Sequence, residues 1–324
     1  MDSLDQEIIN VLRLDGRIAF VDIAKKLDVS SGIVQARYNK MKKNGVIKGS
    51  TLILDYKKIG LVFNASIGIK AIDSELGEVI NYVNGLKIEE AEIFSFITFG
   101  RYNITVAIFS KNLLQAHKLV QLIQRHPSVL KVNISLSFLD DDETLMEKYS
   151  DQKQNRTQTI DLLDKIDAEM LQILCKDARA PFSKIAKALG ISTQTVFRKF
   201  ERLQKNGVIS GSSVILSCKA LGIKGNCGLY VKLKPDASMP ITRNKIASIS
   251  QSIVVHPKWG EYDFHITSTY CDFKEITGLI ANLRKLREIL TIELMIYTLD
   301  DDGSIPFILT FERGLPEWAL AAKC

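Results

Sequence analysis

Two short stretches, around residues 31–43 and 193–203, carry side chains suited to one kind of chemistry. In the first, Val34, Tyr38 and Met41 recur at i, i+4 and i+7 and define the buried face of a helix. That leaves Ser31, Gly32, Gln35, Arg37, Asn39, Lys40, Lys42 and Lys43 outward. In the second, Val196, Phe200 and Leu203 form the buried face, with Thr193, Gln194, Phe197, Arg198, Lys199 and Arg202 outward. A helix fits the major groove of DNA, where Gln pairs with adenine and Arg with guanine while Lys and Arg neutralise phosphates. A single Lys-rich helix is most often a solvated surface, but two copies in the same local setting favour the nucleic-acid reading.

Other residues invite chemistry less strongly. Asp15-Gly16-Arg17 recurs as Asp177-Ala178-Arg179, and an ion pair of the arginine with Asp5 or Asp167 is expected to fix that corner, ahead of a phosphate contact. The turns Gly100–Asn103 and Gly260–Asp263 share a Gly-x-Tyr-[Asn/Asp] pattern, which is turn chemistry first and a neighbouring small-molecule site second. Asp140–Asp142 and Asp300–Asp302 end equivalent strands; adjacent strand residues face opposite ways, so a solvated strand end is expected over a Mg²⁺ site. The four histidines (117, 126, 256 and 265) form no close-spaced metal pair, and His265 reads as incidental. No GxSxG, phosphate-binding loop or HExxH pattern occurs.

The elements that must position these groups are written twice. A shift of 162 residues superposes 4–60 on 166–222 with about 23 of 57 positions identical. The later segments also stay in step, FGRYNITVAIF with WGEYDFHITST and FLDDD with TLDDD. Within each early segment an amphipathic helix (Asp5–Asp15), a short helix (Val21–Leu27) and a tight turn lead to Ser30, an N-cap for a third helix closed by Gly45. This order is a helix-turn-helix, and Val46–Leu54 continues it as a wing or connecting strand. The later segments read strand–helix–strand–strand–helix–strand, a split βαβ sandwich with one sheet face free to pair, most obviously with the other repeat.

The fold class is therefore α+β, two winged helix-turn-helix modules alternating with two ferredoxin-like βαββαβ sandwiches. The expected divisions are helix-turn-helix 1–60, sandwich 61–142, linker 143–159, helix-turn-helix 160–222, sandwich 223–302 and a C-terminal extension 303–324. Charge follows these divisions. Of a net +6 over 324 residues, residues 1–60 hold 11 Lys+Arg against 7 Asp+Glu and 160–222 hold 10 against 6. The first sandwich is acidic and the second balanced, so a polyanion partner is expected for the helix-turn-helix modules alone. No apolar run reaches the ~18 residues of a membrane span. The acid-opening N-terminus does not read as a secretory signal. Five cysteines without metal-like spacing fit reduced thiols and a cytoplasmic location.

Taken together, Asp5, Leu12, Asp15-Gly16-Arg17, Asp22-Ile23-Ala24, Leu27, Val29-Ser30, Arg37, Gly45-Val46-Ile47, Gly49, Gly60 and Gly100-x-x-Asn103 resemble the Lrp/AsnC (feast/famine) family of transcription regulators. The resemblance covers nearly the whole chain, twice, outside the linker and the C-terminal extension. It implies a DNA-binding domain followed by a sandwich that binds amino acids or similar effectors and builds dimers and higher oligomers. The effector residues it implies are Gly100, Tyr102, Asn103, Gly260, Tyr262 and Asp263. No cofactor and no metal is implied. The sequence departs from the family pattern as a tandem fusion, in Lys199 standing opposite Arg37, and in Asn103 where the family usually has Asp. Two unlike reading helices on one chain are expected to read an asymmetric site. Two alternatives remain: a sirohaem-decarboxylase-like enzyme on the same fold, which would need basic or His groups in the sandwiches, and a weakly specific architectural DNA binder.

Overall fold

The computed structural model describes residues 1–89, 91–137, 163–250 and 253–298. The expected linker, the two aspartate runs and the C-terminal extension lie outside the described residues. The chain divides into two compact units, one from 1–59 with 157–222 and the other from 60–156 with 223–299. Among the described residues no helix is long and apolar enough to cross a membrane.

The first unit contains both helix-turn-helix segments. Helix α1 (Ser3–Leu14) begins two residues before the expected Asp5. The Asp2 carboxylate accepts the Asp5 N–H and the Asp5 carboxylate accepts the Asp2 N–H, a reciprocal pair that satisfies two donors with no intrahelical partner. α2 (Phe20–Leu27) and α3 (Ser31–Lys43) follow. The Ser30 hydroxyl caps α3, and Gly45 turns the chain out at φ +70°. β1 (Ile47–Leu54) completes the segment. The second copy repeats each step: α6 (Lys165–Lys176) capped by Asp164 and Asp167, α7 (Phe182–Leu189), α8 (Thr193–Lys205) capped by Ser192, and β6 (Ile209–Leu216).

The connecting strands join the two copies. β1 and β6 pair antiparallel as a two-stranded sheet, from Ile47 opposite Leu216 to Leu54 opposite Ile209. Leu52 of β1 is fully buried in the core of the second copy, with Met170, Leu174, Ile185, Val196 and Leu203. Burying a leucine this completely contributes ~1.5–3 kcal/mol, so each strand stabilises the opposite copy.

The second unit contains the sandwiches. The first is β2 (Phe63–Ala71), α4 (Leu76–Gly85), β3 (Ala91–Phe99), β4 (Ile104–Ser110), α5 (Leu113–Ile123) and β5 (Val129–Ser137). The second is β7 (Gly225–Leu233), α9 (Met239–Ala247), β8 (Ile253–Trp259), β9 (Phe264–Tyr270), α10 (Phe273–Leu283) and β10 (Ile289–Tyr297). Alternate residues of each sheet pack under its helices: Ala65, Ile67 and Ile69 with Val79, Val83 and Leu119, and Leu229 and Val231 with Ile246 and Leu283. The opposite faces close on each other. β3 pairs with β10 through Phe99 and Thr98, and β5 with β8 through Leu136 and Ser137, two short ladders that close an eight-stranded barrel. The free sheet face expected from sequence thus meets the other repeat of the same chain. Among the described residues Cys175, Cys218 and Cys227 are outside disulfides.

Candidate nucleic-acid interface

Helices α3 and α8 each stand third in their helix-turn-helix, held by Val34, Tyr38 and Met41 and by Val196 and Leu203. Phe200 is only half-buried. Ser31, Gly32, Gln35, Lys40, Lys42 and Lys43 are exposed on α3, and Thr193, Gln194, Phe197 and Arg198 on α8. Phe197 meets Phe182 edge-on at 6.3 Å. Arg198, Glu201, Arg202, Gln204 and Lys205 line a surface cleft of about 550 Å³ along α8.

Three residues expected to face outward are instead engaged by carboxylates. Arg37 donates to both Asp2 oxygens (2.7 and 2.6 Å) and to Asp5 (2.9 Å). Lys199 reaches Asp164 and, at 3.1 Å, the fully buried Asp167, which Arg202 also contacts. The capping carboxylates of α1 and α6 thus have a second occupation, anchoring the reading helix of their own repeat. The hydrogen bond from Arg37 holds the Asp2 carboxyl below the usual range, and Lys199 does the same to Asp164. Burial opposes the charge on Lys199, but its bonds to Asp164 and Asp167 outweigh that and raise its pKa.

The corner motif behaves differently from its expected ion pair, because Asp5 and Asp167 are already taken. The Arg17 guanidinium donates to the Ala178 carbonyl and lies over the rings of Phe182 (4.7 Å) and Phe200 (5.1 Å). Arg179 donates to the Gly16 and Ile18 carbonyls (2.7 and 3.1 Å) and lies over Phe20 (4.5 Å) and Tyr38 (5.4 Å). Each corner is fastened to the opposite connecting strand as well. Ser212 donates to Asp15, Ser50 donates to Asp177, and the Gly16 and Ala178 N–H groups donate to the Ser212 and Ser50 carbonyls.

The AsnC-type helix-turn-helix domain matches this chain twice, at residues 1–42 and 163–204. An uncharacterised HTH-type transcriptional regulator of Pyrococcus abyssi is 32% identical over 133 residues, 41% of this chain and 88% of the relative. The regulatory protein AsnC of Haemophilus influenzae is 30% identical over 120 residues, 37% of this chain and 79% of its own length. The chain belongs to the Lrp/AsnC family. Among solved structures, the siroheme decarboxylase NirDL shares the fold over 91% of both chains, with a TM-score of 0.64 at 15% identity.

The residues that the Lrp/AsnC pattern marks for an effector each have a structural occupation here. Gly100 and Gly260 sit at φ +139° and +147°. A Cβ on Gly100 would lie 2.7 Å from the Leu294 carbonyl oxygen of β10. Glycine at this turn therefore lets β3 and β10 approach. Tyr102 and Tyr262 are buried with Tyr230 and Met295 where the two sheets meet. Arg101 lies over both tyrosine rings at 5.7 Å, donates to the Tyr262 hydroxyl and pairs with Glu293. Asn103 forms both strand-like bonds to Ala71 and donates to Asp73 (2.7 Å), whereas Asp263 accepts from the Leu233 N–H and Lys232. The Asn-for-Asp change is thus matched by its neighbour, a carboxylate in one repeat and an ammonium in the other.

Sequence reasoning missed the barrel interior. His265 is buried, stacks on Tyr230 at 4.4 Å and contacts the Tyr297 hydroxyl through Nε2 at 3.0 Å. Burial, with Lys258 and His256 adding to it, pushes its pKa well below the ordinary value. Lys258 crosses to Ser66 and Ser137 of the first sandwich. Asn226 Oδ1, Thr267 Oγ1 and Thr269 Oγ1 are buried without hydrogen-bond partners. The alternation of β7–β9 carried the available signal: the residues out of phase with the core face are polar or aromatic, yet buried. Among the described residues no group of three or more His, Cys, Asp and Glu is placed to hold a metal.

Proposed function

We propose that the chain is a sequence-specific DNA-binding transcription regulator that reads an asymmetric duplex site with α3 and α8. The observation that carries this is the display of two unlike exposed faces by one β1–β6-joined unit: Ser31, Gly32, Gln35, Lys40 and Lys42 on one side, Thr193, Gln194, Phe197 and Arg198 on the other. Arg37, Lys199 and Arg202 belong to this reading as anchors of the helices, with Arg202 still half-exposed beside the groove-facing surface. A site read this way lacks the palindrome that two identical modules require.

The test is duplex enrichment from a random pool, followed by anisotropy at several salt concentrations. An asymmetric consensus bound ~10³-fold or more tighter than scrambled DNA, with a steep salt slope, supports the reading. A symmetric consensus overturns the asymmetry, and equal affinity for both DNAs leaves the architectural role. A tetrapyrrole absorption band in the purified chain would favour the enzyme reading, to which the interior His256, His265 and Lys258 give its one point of support. The regulator reading involves no catalytic step and a cytoplasmic location.

The same reading gives the chain a small effector near the Gly100 and Gly260 turns, as the family pattern implies. The Asp73 carboxylate at one turn and the Lys232 ammonium at the other would make two such sites unequal. It also gives the chain self-association. Phe99 and Trp259, Leu130 and Leu290, and Leu113 and Phe273 are exposed apolar side chains at matching positions of the two repeats, a duplicated surface suited to a second copy.

A further inference from the structure

The corner arginines are the repeated motif that the DNA reading leaves without a task. Arg17 belongs to the first repeat, yet its guanidinium rests on Phe200 of α8, the reading helix of the second. Arg179 of the second repeat rests on Tyr38 of α3. Both arginines also spend donors on carbonyls of the opposite corner, so face and edge of each guanidinium are committed at once. A lysine has the charge but neither the flat face nor the fork.

The contact is kept at a cost, since two cations are held near each other. Burial, and next the charge of Arg179, lower the pKa of Arg17. It is also built closely. A Cβ on Gly16 would lie 2.7 Å from the backbone of Ser213, and Ala178 is fully buried. Neither arginine lies on the exposed faces of α3 and α8, so neither is needed there as a phosphate contact.

We propose that Arg17 and Arg179 are positioning residues that act across the repeats, each setting the pose of the other repeat's reading helix. Base preference in each half-site then depends on an arginine from the opposite half of the chain. This rests on the DNA reading above for its binding readout, but the crossed mechanical dependence stands on the contacts alone.

The experiment uses the full chain as wild type, Arg17→Lys and Arg179→Lys, with thermal melting to show that each is folded. Gln35→Ala and Gln194→Ala assign the half-sites to α3 and α8 by the positions whose preference they change. Arg17→Lys is expected to weaken discrimination at the α8 half-site about tenfold, leaving the α3 half-site unchanged, and Arg179→Lys to do the reverse. Backbone hydrogen exchange without DNA should quicken in α8 for Arg17→Lys and in α3 for Arg179→Lys. Equal loss at both half-sites, loss at the variant's own half-site, or wild-type behaviour from lysine would overturn the proposal. Should wild type bind no sequence preferentially, the regulator reading fails, and the exchange pattern alone decides this inference: crossed quickening upholds it, and any other pattern sinks it.

Discussion

Arg37 and Lys199 occupy equivalent positions on the two reading helices, and both are held by the carboxylates that cap the first helix of their own repeat. A cation so engaged has no counterions to release when DNA arrives, whereas the exposed Lys42 does. Lys42→Ala is therefore expected to reduce the slope of log affinity against log salt by ~0.9, and Arg37→Ala to leave it unchanged; titrations at four or five salt concentrations measure both. Asp167 is the more consequential partner, being fully buried between Lys199 and Arg202. Asp167→Asn leaves Lys199 with Asp164 alone and Arg202 without its carboxylate, so a loss of ~1.5–3 kcal/mol in denaturant unfolding is expected. Residue type and outward phase were readable for Lys42, whereas Arg37 and Lys199 were expected outward and are instead engaged. Their partners were not readable, because the carboxylates that engage them lie 32 to 35 residues away in sequence, and Asp5 and Asp167 were expected to pair with the corner arginines instead.

At the level of elements, duplication shows which local conformations are required. Asp28 and Gly190 stand at the same position between the second and third helices, both left-handed, at φ +53° and +65°. Aspartate tolerates that region less well than glycine, and the serine caps that follow, Ser30 and Ser192, share one extended conformation. Asp28→Gly is expected to stabilise the first unit by ~0.5–1 kcal/mol, read as a rise in melting temperature. Helix and strand periods, together with the repeat, made the order of elements legible almost to the residue. What covers each face was harder to foresee. Alternation sorts β7 and β9 into two sets, Leu229 and Val231 against Tyr230, His265 and Thr267, but it cannot tell water from a second sheet as the neighbour of the polar set. The Gly-x-Tyr turns were only partly legible for the same reason: Gly100 and Gly260 are also placed where strands from opposite repeats meet, a constraint that a turn read in isolation does not carry.

For the molecule as a whole, the buried His265 gives stability a dependence on acidity. Its folded pKa lies well below the ordinary 6.5. In the window below ~6.5 the unfolded chain binds a proton that the folded barrel does not, and stability must rise with pH. The sandwich unit should accordingly weaken as the pH falls from about 6.5 to 5, by at most ~1.4 kcal/mol per pH unit. His265→Gln should flatten that part of the profile in thermal melts recorded across the range.

The β1–β6 ladder and the closed barrel have a consequence beyond stability. In a regulator assembled from separate identical chains, the paired state dissolves on dilution and its halves can be traded with related proteins. Here both pairings join segments of one polypeptide, so each partner is present at the high local concentration set by its own tether. On the proposed reading, a single molecule already carries both reading helices on one joined unit. These two seams leave no open partner for a single-repeat relative, and neither sets a concentration threshold of its own.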